Sequence, residues 1–425
     1  MKQVKPLAGR LMVAVGLMGL ASCTALSPER DRTSNLDTPT SATPDNSSQA
    51  RTPTKATDSS DRSCTLVENG YGSQGQVAVQ AEQVVTGLEV PWGILFLSQG
   101  DMLVTERAGR IRLVRNGQLQ SQPVATVPVT ERGEGGLLGI TPHPNFAENR
   151  LFYLYYTADR NGSPVNRVER WQLSPDGQNA SPDTIILDNI PVARFHNGGR
   201  LRFGPDGMLY IGTGDAGEPQ AAQNVNSLAG KILRLTPDGQ VPDDNPFPGN
   251  PAFITGVRNT QGFGWFNAST LWVTDHGPSG ELGRTGHDEV SVASPGANLG
   301  WPTIYGCQKQ QGMVSPSLTW NQAVPPGGAE MYTGDAIPEW RGSLLLGVLG
   351  AKHLHRVTFD PQSPYQVLSH EVYLQGEPPQ GLGRLRDVIM SPEGELYVTT
   401  SNCDGRGNCP PEKDKIFRIT SSNPE

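Results

Sequence analysis

Phe195-His196-Asn197-Gly198-Gly199-Arg200-Leu201-Arg202-Phe203-Gly204-Pro205-Asp206-Gly207-Met208-Leu209-Tyr210-Ile211-Gly212-Thr213-Gly214-Asp215 is the stretch on which the reading of this chain turns. Its second half is a turn, Gly204-Pro205-Asp206-Gly207, then an apolar strand, Met208 to Gly212, then an acid. That unit recurs. Met102 to Thr105, Leu151 to Tyr155, Leu271 to Thr274, Leu344 to Gly347 and Leu396 to Thr399 each follow a turn of their own. Behind each comes a second strand of alternating apolar and polar residues, such as Lys231-Ile232-Leu233-Arg234-Leu235 and Lys415-Ile416-Phe417-Arg418-Ile419. Only the copy at 195–215 has a His in front of it.

Six copies at intervals of roughly 45–75 residues fit the period of a propeller blade with loop insertions. The spacing therefore predicts an all-β, six-bladed β-propeller. Such a fold covers both faces of each sheet with neighbouring blades and leaves only short edges. Val77 to Val85 reads as an extra strand before the first copy, placed to join the last blade and close the ring. A β-sandwich of similar size is the alternative. Composition agrees with a β fold. Among 425 residues there are 50 Gly and 36 Pro, and only 18% are charged, which favours turns over long helices. The net charge of -8, with Lys and Arg dispersed, gives no support for nucleic-acid binding.

The N-terminus carries Lys2, Lys5 and Arg10, then the apolar run Leu11 to Ala21, too short to span a bilayer as a helix. Leu20-Ala21-Ser22-Cys23 resembles a bacterial lipobox. The resemblance implies a signal peptide over 1–22 and a lipid anchor at Cys23. The protein is then expected to be exported and membrane-anchored, facing the periplasm or the cell exterior. Residues 23–63, rich in Ser, Thr and Pro, hold too few large apolar groups to fold and read as a disordered, flexible tether. The propeller is expected over 64–425. Four further cysteines suggest disulfides in an exported chain. Cys403 and Cys409 close a short loop and are the safer pair, which leaves Cys64 with Cys307 by elimination.

Several motifs carry less than they suggest. Gly212-Thr213-Gly214-Asp215-Ala216-Gly217 matches G-x-G-x-x-G, but a dinucleotide site needs a crossover helix that a β repeat lacks. No G-x-S-x-G or H-E-x-x-H is present. His353-x-His355 places two rings on one face of a strand and is expected to be ordinary surface chemistry. His196 differs, because Asn197, Gly198 and Gly199 put it in a tight loop. A hairpin would bring Asp215 back beneath it, where a carboxylate on one ring nitrogen fixes the tautomer and frees the other as a base.

Further loops look chemical: Gly133-Glu134-Gly135-Gly136, Gly256-Val257-Arg258-Asn259-Thr260-Gln261-Gly262, and Gly383-Arg384-Leu385-Arg386-Asp387 with two guanidiniums suited to carboxylates. Asp275-His276-Gly277-Pro278 with Asp288-Glu289 gathers oxygen ligands of the kind calcium takes. All fall at blade ends.

Taken with Pro91-Trp92-Gly93, His143-Pro144-Asn145-Phe146, Gly230-Lys231-Ile232-Leu233-Arg234 and Gly300-Trp301-Pro302, these stretches resemble the soluble pyrroloquinoline-quinone (PQQ)-dependent sugar dehydrogenases, the glucose/sorbosone dehydrogenase family, on its aldose sugar dehydrogenase branch. The resemblance implies a quinoprotein that oxidises the anomeric hydroxyl of aldose sugars to lactones, with PQQ and Ca2+ as cofactors. It implies His196 as general base and Asp215 as the residue that orients it. It places Arg258, Asn259, Gln261, Arg384 and Arg386 on the quinone, with Glu134 where the glucose enzyme has a Gln. Lys352 lies two residues from the position of the family's cofactor-binding Lys and is expected to bind the cofactor in its place through a shift of register. The carbonyls of Gly277 and Pro278 are implied as ligands of a cofactor calcium, and Glu289 with the carbonyl of Leu299 as a second calcium site. Phe195 replaces a sugar-contacting acid, and Ser401-Asn402 an acid near the cofactor. No C-x-x-C-H haem motif occurs, so electrons are expected to leave to a separate electron acceptor. Two other functions suit the same architecture: a non-catalytic propeller lipoprotein that binds a ligand or protein, and a calcium-dependent lactonase with His196 activating water.

Overall fold

The computed structural model describes residues 62–97 and 100–422. The signal peptide, Cys23 and nearly all of the tether lie outside the described residues. The described chain forms six sheets of four or five strands, the six-bladed propeller that the repeats predict. In each blade the chain runs from an inner strand outward. The inner strands are Pro91–Phe96, Leu137–Pro142, Leu201–Phe203, Gly262–Asn267, Pro326–Met331 and Leu385–Met390, in blades 1 to 6. The repeated strands recognised in the sequence are the second and third of each blade. In blade 3 these are Leu209–Gly212 and Ile232–Leu235, paired antiparallel with Leu209 opposite Leu235.

Six separate apolar clusters hold the ring, one at each interface between neighbouring blades. Between blades 1 and 2, Leu103, Ile111 and Leu113 meet Phe152, Leu154 and Trp171. Each such side chain contributes roughly 1.5–3 kcal/mol on burial. This is why the second and third strands alternate less strictly than a half-solvated strand would. The N-terminal segment closes the ring. Val79–Leu88 pairs antiparallel with Asp414–Ser421 as the outermost strand of blade 6. Before it, Thr65–Val67 extends blade 4 and Ser73–Gln74 extends blade 5, both in parallel register. The Cys64–Cys307 and Cys403–Cys409 disulfides both form, with Cα–Cα distances of 5.6 and 4.3 Å.

The inner strands crowd the axis, and glycine permits it. A Cβ on Gly139 would stand 2.1 Å from the carbonyl oxygen of Gly199 in the next blade, and one on Gly327 would stand 2.3 Å from that of Arg386. A buried ion pair crosses the axis itself. Arg200 at the head of blade 3 donates to Asp387 of blade 6, opposite in the ring, with Nη2 to Oδ1 at 2.7 Å. Its Nε donates to the carbonyl of Gln261 at 2.7 Å, and its guanidinium lies 4.8 Å from the Trp92 ring centroid.

His353 and His355 are not at the surface but fully buried, on the strand His353–Asp360. Tyr71 meets His353 at a tilt with ring centroids 5.5 Å apart, and Trp320 meets His355 edge-on at 5.0 Å. The N-terminal extension covers this face of blade 5, which a reading of the repeat strands alone does not reveal. His353 Nε2 and His355 Nδ1 lie 3.1 Å apart. Burial pushes His353 down to about 4 and His355 well below its usual value, helped by the neighbouring His353 and His370.

Candidate active site

The loops that lead into the inner strands meet at one end of the propeller. Two adjoining cavities open there, of about 600 and 220 Å³, and share Glu134, His276, Leu349 and Arg406 in their walls. The larger is lined by His196, Asp215, Arg258, Asn259 and Arg384, among others. The smaller is lined by Trp92, Gln261 and Arg386. The structure thus brings together residues that are far apart in the sequence.

His196 sits where the chain turns from the loop into the first strand of blade 3. Its φ is +59°, a left-handed conformation that a residue with a Cβ adopts at a cost. The backbone N–H of Gly199 donates to the carbonyl of Gly212 at 2.9 Å, folding the loop back over the strand end. This puts His196 Nδ1 2.8 Å from Asp215 Oδ1, the hairpin contact expected from the sequence. Asp215 is wholly buried. Its Oδ1 also accepts the N–H of Gly217 at 2.8 Å, and its Oδ2 accepts the indole N–H of Trp301 at 2.9 Å. With Asp215 an acceptor on this side, Nδ1 carries the proton and Nε2 is the basic nitrogen. The backbone N–H of His196 donates to Glu134 Oε2 at 3.1 Å. Burial would raise the Glu134 carboxyl, but Arg406, paired with it at 2.8 Å, holds it below the usual carboxylate range. The Phe195 ring stands edge-on to His196 at 4.7 Å and is 46% exposed at the cavity wall.

The arginines are arranged around this centre. Arg258, 2% exposed, is bridged by Glu281 and donates to the carbonyl of His276 at 3.2 Å. Arg384 pairs with Asp404 at 2.8 Å, and Arg386 reaches the same carboxylate at 3.8 Å. Asp404 supplies, two residues further on, an acid that Ser401-Asn402 lacks. Arg386 also donates through Nη1 to Gln261 Oε1, yet its buried Nε has no partner. Burial brings the Arg386 guanidinium down to about 10. An orphaned donor on a buried cation beside a cavity fits an anionic ligand, and a set of forked guanidiniums and amides fits carboxylates in particular. Asn259 is fixed from both sides, its N–H donating to Asp275 Oδ1 at 2.6 Å and its Oδ1 accepting from Gly198 at 3.0 Å.

Lys352 is not brought to the cavities. It occupies the turn between Leu344–Val348 and His353–Asp360 with φ +53°, and its ammonium is drawn to Glu377 Oε1. Gly277, Pro278 and Glu289 line one small cavity of about 10 Å³, room for a single water or ion, together with Asp275. These residues belong to two different calcium sites in the family resemblance. Leu299 does not line this cavity; it is buried in the apolar cluster between blades 3 and 4. Burial, with Asp275 and Asp288 nearby, raises the Glu289 carboxyl well above the ordinary range. Burial likewise raises Asp275 to about 7 and Asp288 to about 6. Asp288 Oδ1 accepts the N–H of Gly277 at 2.9 Å. Crowded carboxylates of this kind are relieved by a cation. Among the described residues no three His, Cys, Asp or Glu side chains converge as a metal centre, so a cation here would draw on backbone carbonyls as well.

Trp301, Glu281, Asp404 and Arg406 were given no role from the sequence. Trp301 reaches Asp215 of another blade, 86 residues away, and Arg406 reaches Glu134, 272 residues away, while Glu281 and Asp404 meet Arg258 and Arg384 at separations of 23 and 20 residues.

The chain is similar to known proteins along most of its length. Residues 88–408 match the family model described as Glucose / Sorbosone dehydrogenase. The aldose sugar dehydrogenase YliI of Escherichia coli is 32% identical over 354 residues, covering 77% of this chain and 91% of that one. Quinoprotein glucose dehydrogenase B of Acinetobacter calcoaceticus is 27% identical, covering 80% and 88%. The PQQ-bound aldose sugar dehydrogenase of Streptomyces coelicolor superposes with a TM-score of 0.72 at 33% identity, over 82% of this chain and 99% of that one.

Proposed function

The chain belongs to the glucose/sorbosone dehydrogenase family, and from that premise we propose that it is a PQQ-dependent oxidoreductase that converts aldose sugars to lactones at the anomeric carbon. The observation that carries the proposal is His196, buried with its Nδ1 on Asp215 and in the wall of a cavity that Arg258, Asn259 and Arg384 also line.

His196 Nε2 takes the proton of the anomeric hydroxyl. Asp215 holds the Nδ1–H tautomer and stabilises the imidazolium that results. Trp301 holds Asp215 in turn. Bound in the cavity, the quinone would supply the two-electron sink that accepts the anomeric hydrogen as hydride. Arg258, Arg384, Arg386, Asn259 and Gln261 would bind and orient its carboxylates and carbonyls. The carbonyls of Gly277 and Pro278 would hold the cofactor calcium, which would act as Lewis acid and template, and Glu289 would belong to a second calcium site. Phe195 offers the sugar an apolar face in place of an acid, which favours recognition of ring faces over hydroxyl counting.

Export and lipid attachment at Cys23 belong to the same reading, as does electron delivery to a separate acceptor. The two disulfides suit an oxidising compartment. The test is reconstitution with PQQ and calcium, followed by dye reduction with a panel of aldoses. Lactone as product supports the proposal. Absence of dye reduction with every aldose, alongside lactone hydrolysis without the quinone, would replace it with the lactonase reading.

A further inference from the structure

We propose that Glu281 is a gate over Arg258: its carboxylate competes with a quinone carboxylate for that guanidinium, and quinone capture requires the turn that carries it to swing away. The inference rests on the quinone reading above. Glu281 and Arg258 line the same cavity, and the carboxylate bridges the guanidinium through Oε1 while Oε2 accepts the N–H of Ser279 at 2.8 Å. A second carboxylate cannot take the same face of the guanidinium at the same time.

The turn is built to move. It is pinched at its base, where Gly280 donates to the carbonyl of Arg284 at 2.8 Å. Gly280 and Gly283 have φ of +121° and +67° with open space around them, and no residue of the intervening segment Glu281–Gly283 is buried. Leu282, at its tip, is 55% exposed with φ +56°. Few packing contacts and glycine hinges are what a mobile flap needs. Arg258 is held independently. Its backbone N–H donates to Asp275 Oδ2 at 2.7 Å, and its guanidinium lies 5.6 Å from the Trp301 ring. It stays in place when Glu281 leaves.

Asp404 makes the contrast. It also faces arginines, but its side chain is only 4% exposed and its loop is tied by the Cys403–Cys409 disulfide. Of these two resident carboxylates, Glu281 is the displaceable one. A ligand that binds only the open state has its apparent affinity lowered by the fraction open.

The test is a titration of the full protein with PQQ in the presence of calcium, read as quenching of tryptophan fluorescence, with Trp92 in the cavity wall, and by stopped flow. Glu281→Gln is expected to bind PQQ about tenfold more tightly than the wild type and to associate faster. In the wild type the association rate is expected to level off with PQQ concentration, because opening of the turn limits it. Equal or weaker binding by Glu281→Gln would overturn the gate, as would a wild-type association rate that stays linear. If PQQ binds to neither protein, the quinone reading falls and the gate with it. If it binds equally to both, only the gate falls.

Discussion

The Nδ1 atom of His196 and the Oδ1 atom of Asp215 lie 2.8 Å apart across nineteen residues of sequence, and the second oxygen of that carboxylate is held by Trp301 from another blade. The base is therefore held through a relay of three side chains, and each link has its own test.

Asp215→Asn keeps the shape but removes the negative charge and one of the two acceptor oxygens that His196, Gly217 and Trp301 share, so the tautomer is no longer fixed. We expect kcat for aldose oxidation to fall about 10²–10⁴-fold, with PQQ binding within about threefold of wild type. A fall in quinone affinity of the same size as the fall in kcat would mean that Asp215 shapes the cavity rather than the base.

Trp301→Phe removes one hydrogen bond to a buried carboxylate. The expected loss is about tenfold in kcat, with KM nearly unchanged. The pH profile is the sharper readout. With Asp215 freed from Trp301, the pH dependence of kcat should shift relative to wild type, whereas a purely structural loss would lower the whole profile without moving it.

The axial pair is a matter of stability. Arg200 and Asp387 are both buried, and Asp387→Asn would leave the guanidinium uncompensated. A loss of about 3–5 kcal/mol is expected in urea unfolding. A loss below about 1 kcal/mol would show that the ring does not depend on this crossing contact.

The buried histidines set an acid limit. His353 has an ordinary value near 6.5 when unfolded and about 4 when folded, so the unfolded chain binds more protons between those limits. Stability from this group is complete above pH 6.5 and is lost as pH falls towards 4, by about 3 kcal/mol. His355 adds to the loss in the same direction. Unfolding followed from pH 7 to pH 4 should show this slope, and His353→Gln should flatten it.

The fold was legible because the second and third strands of each blade repeat a turn and an apolar run six times. The inner strands were not. Gly262–Asn267 and Pro326–Met331 are broken by glycines that axial crowding requires, so they show no strand pattern. At the site, His196 and Asp215 could be paired because one hairpin joins them. Glu281 and Asp404 could not be linked to Arg258 and Arg384 by local pattern, since the contacts exist only once the loops assemble. Lys352 failed for a related reason. Proximity in sequence to a family position says nothing about a turn that directs the side chain to Glu377.

The most direct measurement is single-turnover reduction of protein-bound PQQ by an aldose in wild type and in His196→Ala, both first shown to bind the quinone in equal stoichiometry. Wild type should bleach the oxidised quinone rapidly, and His196→Ala should do so about 10²–10⁴-fold more slowly. Reduction at the wild-type rate in His196→Ala would contradict the assignment of His196 as the base on which this reading of the site depends.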